Sequence, residues 1–177
     1  MLGRLFLLMV LRGAVYGTVG PYLSVILLRA GLPLELVGPL AGLGALITLV
    51  GAPWWGRTGD LLGRRRVMAF SMALGVPILA ALTVDSLPGV VLASCAWAFV
   101  AAAWVPLGDS LTLDRIGGDR ALFARMRIGA SSGYVVTVLV GGALVSGTAL
   151  GWDAPAFVGI VAAGLTAVAI SAWMRGR

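Results

Sequence analysis

In a chain of 177 residues, charged side chains make up only 11% and hydrophobic ones 60%, with a mean hydropathy of +1.03. A soluble domain carries about a quarter charged residues, so a water-facing surface is excluded and the outside of this protein has to meet lipid. The net charge of +6 resides in arginines at the ends of apolar runs, where basic residues set membrane topology, and nucleic acid is therefore excluded as the expected partner.

Six apolar runs follow in chain order, each near the roughly 20 residues a membrane helix needs. They are expected at about 5–28, 36–55, 67–84, 90–113, 121–150 and 154–174, within one transmembrane domain spanning 1–177. The first run is interrupted by Arg12, which either snorkels to the surface or faces the bundle centre and competes for Asp109. This run is too long, and too closely followed by others, for a cleaved signal peptide. The second run carries Gly38 and Gly42, and its end carries Trp54 and Trp55. Lone Cys95 and Trp97 lie in the fourth run, followed by Trp104 and Pro106. Prolines at 21, 39, 53, 77 and 106 mark expected kinks, because each removes a backbone donor and crowds the preceding turn. Glycines four apart, at 13 and 17, 38 and 42, and 147 and 151, allow helix backbones to approach closely. Trp54, Trp55, Trp152 and Trp173 sit at span ends, where an interfacial belt is expected.

The connectors divide by charge. Gly31-Leu32-Pro33, Ser86-Leu87-Pro88-Gly89 and Gly151-Trp152-Asp153 hold turn residues, with Arg29 the one basic residue on that side. Arg4, Arg57, Arg64, Arg65, Arg66, Arg115, Arg120, Arg125, Arg175 and Arg177 fall on the other side. Positive charge stays inside, so both termini are expected in the cytoplasm, with the protein multi-pass in the cell (inner) membrane. The fold class is all-α, a six-helix transmembrane bundle. No nucleophile–base pair, metal-ligand set or cofactor loop is visible, and there is no lysine for a phosphate-binding loop. Neither an enzyme nor a cofactor is expected, and with no histidine and one cysteine no metal site is either.

Ionisable groups within the bilayer need a partner or a purpose. Asp109 lies inside the fourth run and Arg127 at the start of the fifth, with the turn candidate Gly117-Gly118 midway between them. An antiparallel hairpin therefore sets Asp109 and Arg127 at matching depth. The expected ion pair is either purely structural or part of a substrate or proton site. Asp114 with Arg115, and Asp119 with Arg120, are nearer the loop and expected to be solvated. Trp97 and Trp104, seven apart, share a face and either pack or wall a cavity.

After the second run the chain reads Gly56-Arg57-Thr58-Gly59-Asp60-Leu61-Leu62-Gly63-Arg64-Arg65-Arg66. This resembles the signature loop of the major facilitator superfamily, with Leu61 standing where a basic residue is usual. The resemblance implies a conformational latch made by Gly56, Asp60, Gly63, Arg64 and Arg65. A second stretch, Arg125-Met126-Arg127-Ile128-Gly129-Ala130-Ser131-Ser132-Gly133-Tyr134, resembles the start of the fifth helix in the oligosaccharide and nucleoside proton-symporter branch. The first run, from Tyr16 to Tyr22, is loosely similar to that branch's first helix. The resemblance implies that Asp109 and Arg127 contact sugar hydroxyls and take part in proton coupling. It implies that Tyr134 stacks on a sugar ring, with Ser131 and Tyr16 as further substrate contacts.

The resemblance spans the whole chain but only one six-helix repeat of a twelve-helix family. A parallel homodimer with a twofold axis through the substrate cavity would restore twelve helices. The expected function is a half-sized secondary transporter taking up a sugar with protons. Alternatives are a drug or nucleoside carrier of the same fold, a non-transporting membrane subunit, or a fragment of a longer transporter.

Overall fold

The structure, a computed structural model, describes residues 2–84, 86–147 and 151–175. The chain forms α1 (Leu2–Val19), α2 (Leu23–Arg29), α3 (Leu34–Leu62), α4 (Arg64–Ala81), α5 (Leu87–Ala101), α6 (Trp104–Arg115), α7 (Arg120–Gly147) and α8 (Ala154–Arg175). A 3-10 turn, Gly151–Asp153, precedes α8. Among the described residues there is no strand. The last residues of the expected fifth span, 148–150, lie outside the described residues.

Two of the six apolar runs are each built as two helices. Pro21 has no N–H to continue α1, so the chain turns at residues 20–22, where the Tyr22 N–H donates to the Val19 carbonyl at 3.1 Å. Pro106 likewise cannot donate to the Ala102 carbonyl, and α5 gives way to α6 at Ala102–Ala103. The other in-span prolines do not break their helices: α3 runs through Pro39 and Pro53, and α4 through Pro77.

Among the described residues, five stretches are long and apolar enough to cross a membrane: Leu5–Arg29, Leu34–Leu62, Leu87–Arg115, Arg120–Gly147 and Gly151–Ala172. The remaining helix, α4, is 18 residues long and begins with three arginines, so its apolar part is Val67–Ala81. The protein is thus an all-helical bundle of five to six long apolar segments. Helix α3 continues to Leu62, about two turns past the expected end at 55, and Gly63 alone separates it from α4. Gly63 has φ 95°, a left-handed conformation that glycine adopts without a side-chain clash. Gly117 and Gly118, with φ 64° and 79°, make the expected reversal between α6 and α7. Asp119, expected to be solvated, caps α7: its Oδ1 accepts from the Ala121 N–H at 2.9 Å and the Leu122 N–H at 3.0 Å.

Helix α1 lies at the centre. It packs along α7 on one side and α8 behind; α8 packs on α4, and α4 on α5; α3 closes the far flank against α5 and α6. The α1–α7 contact is backbone on backbone. A Cβ at Gly13 would run into the Ala130 carbonyl, and one at Gly133 into the Val10 carbonyl. Thr137 Oγ1 donates across the seam to the Ala14 carbonyl at 3.0 Å. In lipid, where apolar burial between helices gains little, such close approach is what holds helices together. A Cβ at Gly38, Gly42 or Gly147 would meet nothing among the described residues, so those expected glycine pairs are not packing seams there. The core centres on Trp104, Met72, Leu79, Val15, Val19 and Val90. The two flanking helices, α3 and α7, remain largely uncovered.

Candidate functional site

The most consequential polar contact in the bundle begins in α1. Arg12 is buried, and its Nη1 reaches Asp109 Oδ1 of α6 at 2.8 Å. The same nitrogen donates to the Trp104 carbonyl at 3.1 Å and the Val105 carbonyl at 3.3 Å. Gly108 makes this docking possible, because a Cβ there would collide with Arg12 Nη1. The spacing 104–105–108–109 is one turn of α6, so a single guanidinium grips a carboxylate and two carbonyls on one helical face. Arg12 thereby fastens α6 just beyond the break that Pro106 creates.

This corrects the expected pairing. Asp109 bonds Arg12, whereas Arg127 is exposed, with its guanidinium 6.0 Å from the Phe123 ring centre. Arg12 wins because α1 seats its guanidinium directly against α6, while the Arg127 side chain stays exposed on α7. Of the two readings for Arg12, the inward one holds.

Beside the ion pair lies an open cavity of about 280 Å³, lined by Arg12, Gly13, Tyr16, Val105, Ala130, Ser131, Tyr134 and Val135. Three of the residues singled out in the sequence, Tyr16, Ser131 and Tyr134, therefore meet around one space. Asp109 and Arg127 are not among its lining residues; Asp109 sits behind Arg12. Tyr16 is fixed in place by donating its hydroxyl to the Ala101 carbonyl at 2.6 Å. Its ring meets Trp104 edge-on at 5.5 Å, and Trp104 meets Trp97 edge-on at 4.9 Å. Both tryptophans are buried and pack behind the cavity rather than line it. Trp104 Nε1 is a buried donor with no partner among the described residues. Sequence reasoning missed Gly108 and the α6 carbonyls; the Trp-Val-Pro-x-Gly-Asp order was the only signal for them.

The loop after α3 is organised by Arg64. Its Nε and Nη2 each lie 2.9 Å from Asp60 Oδ1, and its Nη1 lies 3.2 Å from Asp114 Oδ2. Asp114, expected to be solvated beside Arg115, instead ties α6 to the α3–α4 turn. Hydrogen bonding to Asp60 holds the Arg64 guanidinium above its ordinary pKa, with Asp114 adding to the effect. Gly63 supplies the reversal; Gly56 is half-buried, and a Cβ added there would meet no other described residue, while Arg65 is half-buried beside Arg64. Among the end-of-span tryptophans, Trp54 is exposed, but Trp55 is buried and donates Nε1 to the Phe99 carbonyl at 2.7 Å. Trp55 therefore belongs to the α3–α5 packing, not to an interfacial belt. Trp152 lies beneath Arg29, whose guanidinium is 5.6 Å from the ring centre; the side chain of Trp173 lies outside the described residues.

A bundle of long apolar helices, with a buried charged pair and an open, mostly apolar cavity on one face, makes a multi-pass membrane protein. Residues 4–175 match the MFS_1 like family. The chain belongs to that family and so to the major facilitator superfamily, which points to a transporter rather than an enzyme. No curated protein and no solved structure matches the chain.

Proposed function

We propose that this protein is a half-sized secondary transporter that pairs with a second copy of itself and takes up a sugar with protons. The observation that carries the reading is the Arg12–Asp109 pair set directly behind the cavity of Tyr16, Ser131 and Tyr134. Polar and ionised groups at this depth are costly against lipid, and are found where they face water or protein. A sugar needs hydrogen-bond partners for its hydroxyls and a flat apolar surface for its ring. Tyr134, 41% exposed, offers the ring surface, while Ser131, Tyr16 and Arg12 offer polar contacts. Arg127 lies one turn before Ser131 on the same face of α7 and makes the entry contact with hydroxyls.

Asp109 is the proton-accepting group in this reading. Protonation removes the charge that Arg12 grips, loosens α6 below its break, and frees the guanidinium for substrate. The arginine distribution supports cytoplasmic termini in the inner membrane, which puts the Arg64 latch on the cytoplasmic side. There its pairing of α3 with α6 changes as the cavity changes sides.

The open cavity and the bare flanks support the homodimer. A twofold axis along the bundle, through the cavity face, sets α3 of one subunit beside α7 of the other and encloses the cavity between two copies. The test is uptake by proteoliposomes offered a panel of labelled sugars, nucleosides and amphipathic drugs under an imposed proton gradient. Accumulation of a sugar that collapses with a protonophore supports the reading. Accumulation of a nucleoside or drug alone moves the substrate to the rival class, and no accumulation of any solute overturns transport.

A further inference from the structure

We propose that the groove beside the α3–α4 turn binds the headgroup of an anionic phospholipid, with Leu61 and Leu62 against its acyl chains. The groove measures about 710 Å³, and its walls include Leu61, Leu62, Arg64, Arg65, Arg66 and Asp114. Leu61 is 74% exposed and Leu62 62%. Two large apolar side chains thus stand open on a surface that also carries three consecutive arginines. Neither bulk water nor hydrocarbon suits both sets, whereas the boundary between lipid headgroups and chains suits each.

The depth agrees. Helix α3 has 29 residues, about 43 Å at 1.5 Å per residue, against a hydrocarbon core of about 30 Å. Its last turns therefore emerge at the headgroup layer. The turn itself brings the two chemistries together: Gly63, with φ 95°, reverses the chain within one residue, so the leucines that end α3 adjoin the arginines that begin α4. The acidic residues in the groove do not cancel its charge. Asp60 and Asp114 are both engaged by Arg64, and Arg66 and Arg57, the latter one turn before Leu61, are exposed. A surplus of guanidinium at headgroup depth selects a phosphate without a balancing amine, and the leucines select a phosphate that carries chains over a free one. Leu61 and Leu62 together give this arginine-lined groove its apolar side.

This proposal stands apart from the transport reading and is tested without it. Thermal unfolding of the detergent-solubilised full chain is followed while phosphatidylglycerol, phosphatidylcholine or inorganic phosphate is added. Phosphatidylglycerol is expected to raise Tm saturably, and the other two to leave it unchanged. Arg66→Ala should raise the half-saturating phosphatidylglycerol concentration about fivefold, the loss expected for one arginine at a membrane surface. Leu61→Asn should weaken the same response while leaving the lipid-free Tm as it was, since this exposed side chain supports no packing. Equal responses to the two lipids overturn the proposal, as does phosphate alone reproducing the effect. A full response retained in both variants overturns it too, as does a groove response that follows protein concentration instead of lipid, the mark of a second copy seated there.

Discussion

Replacing Arg12 by Met keeps the aliphatic stem that packs in the core and removes the guanidinium. The Asp109 carboxylate would then lose its partner at 2.8 Å, and two α6 carbonyls would lose a donor each. Breaking a buried ion pair from one side costs about 3–5 kcal/mol, because the remaining charge is stranded. The Arg12 side chain is 7% exposed and that of Asp109 19%, so some solvent reaches the carboxylate and the lower end, about 3 kcal/mol, is the expected loss. Unfolding in detergent, followed by the fluorescence of the six tryptophans, measures it. A double-mutant cycle with Asp109→Asn should return a coupling above about 1 kcal/mol, whereas Asp109→Asn with Arg127→Met should be additive within about 0.5 kcal/mol. A larger coupling to Arg127 than to Arg12 would refute the pairing and the site built on it.

Gly13→Ala places a methyl group against the Ala130 backbone, which cannot move aside as a side chain could, and should cost about 1–3 kcal/mol. Gly164→Ala, in open space on α8, should be neutral or stabilising in the same unfolding assay. Tyr16→Phe removes the hydrogen bond to Ala101 and should lower stability by about 1 kcal/mol, with a larger effect on uptake than on folding. Arg64→Ala should leave stability within about 1 kcal/mol, since its pairs are largely solvated, and yet slow transport. The Arg64 pKa is raised on folding, so its contribution is fully present below the ordinary arginine value and is lost only as pH rises through the raised one. Stability differences between wild type and Arg64→Ala should therefore not change between pH 7 and pH 9.

The sequence carried the all-helical, apolar character of the chain, the turn at Gly117-Gly118 and the loop around Asp60 and Arg64, because hydropathy and turn chemistry are local. It did not carry the azimuth of α1. Asp109 had two candidate arginines at workable depth, and only the packing of α1 against α6 decides for Arg12. The glycines show the same limit: Gly13 and Gly17 have the four-residue spacing of Gly38 and Gly42, yet the first pair meets α7 and the second meets nothing among the described residues. Trp55 and Trp54 are adjacent at the same helix end, and one is buried while the other is exposed, because a helix turns about 100° per residue. Ser131 and Tyr134, named from the resemblance alone, share a cavity wall because they lie on one side of α7, whereas Gly108 becomes meaningful only once Arg12 is seated against it.

In the proposed dimer two copies close one cavity between them, and cross-linking of α3 in one copy to α7 in the other is the test. A chain carrying Cys95→Ala, Leu46→Cys on α3 and Val136→Cys on α7 uses two exposed positions at similar depth on the flanks, and a companion chain carries Cys95→Ala with Phe70→Cys and Val168→Cys on the exposed faces of α4 and α8. In native membranes a short bifunctional thiol reagent should join the first chain into dimers and arrest its uptake, while the second stays monomeric and active. Dimers trapped only through α4 and α8, or uptake by a chain that stays monomeric with every pair, would contradict the account.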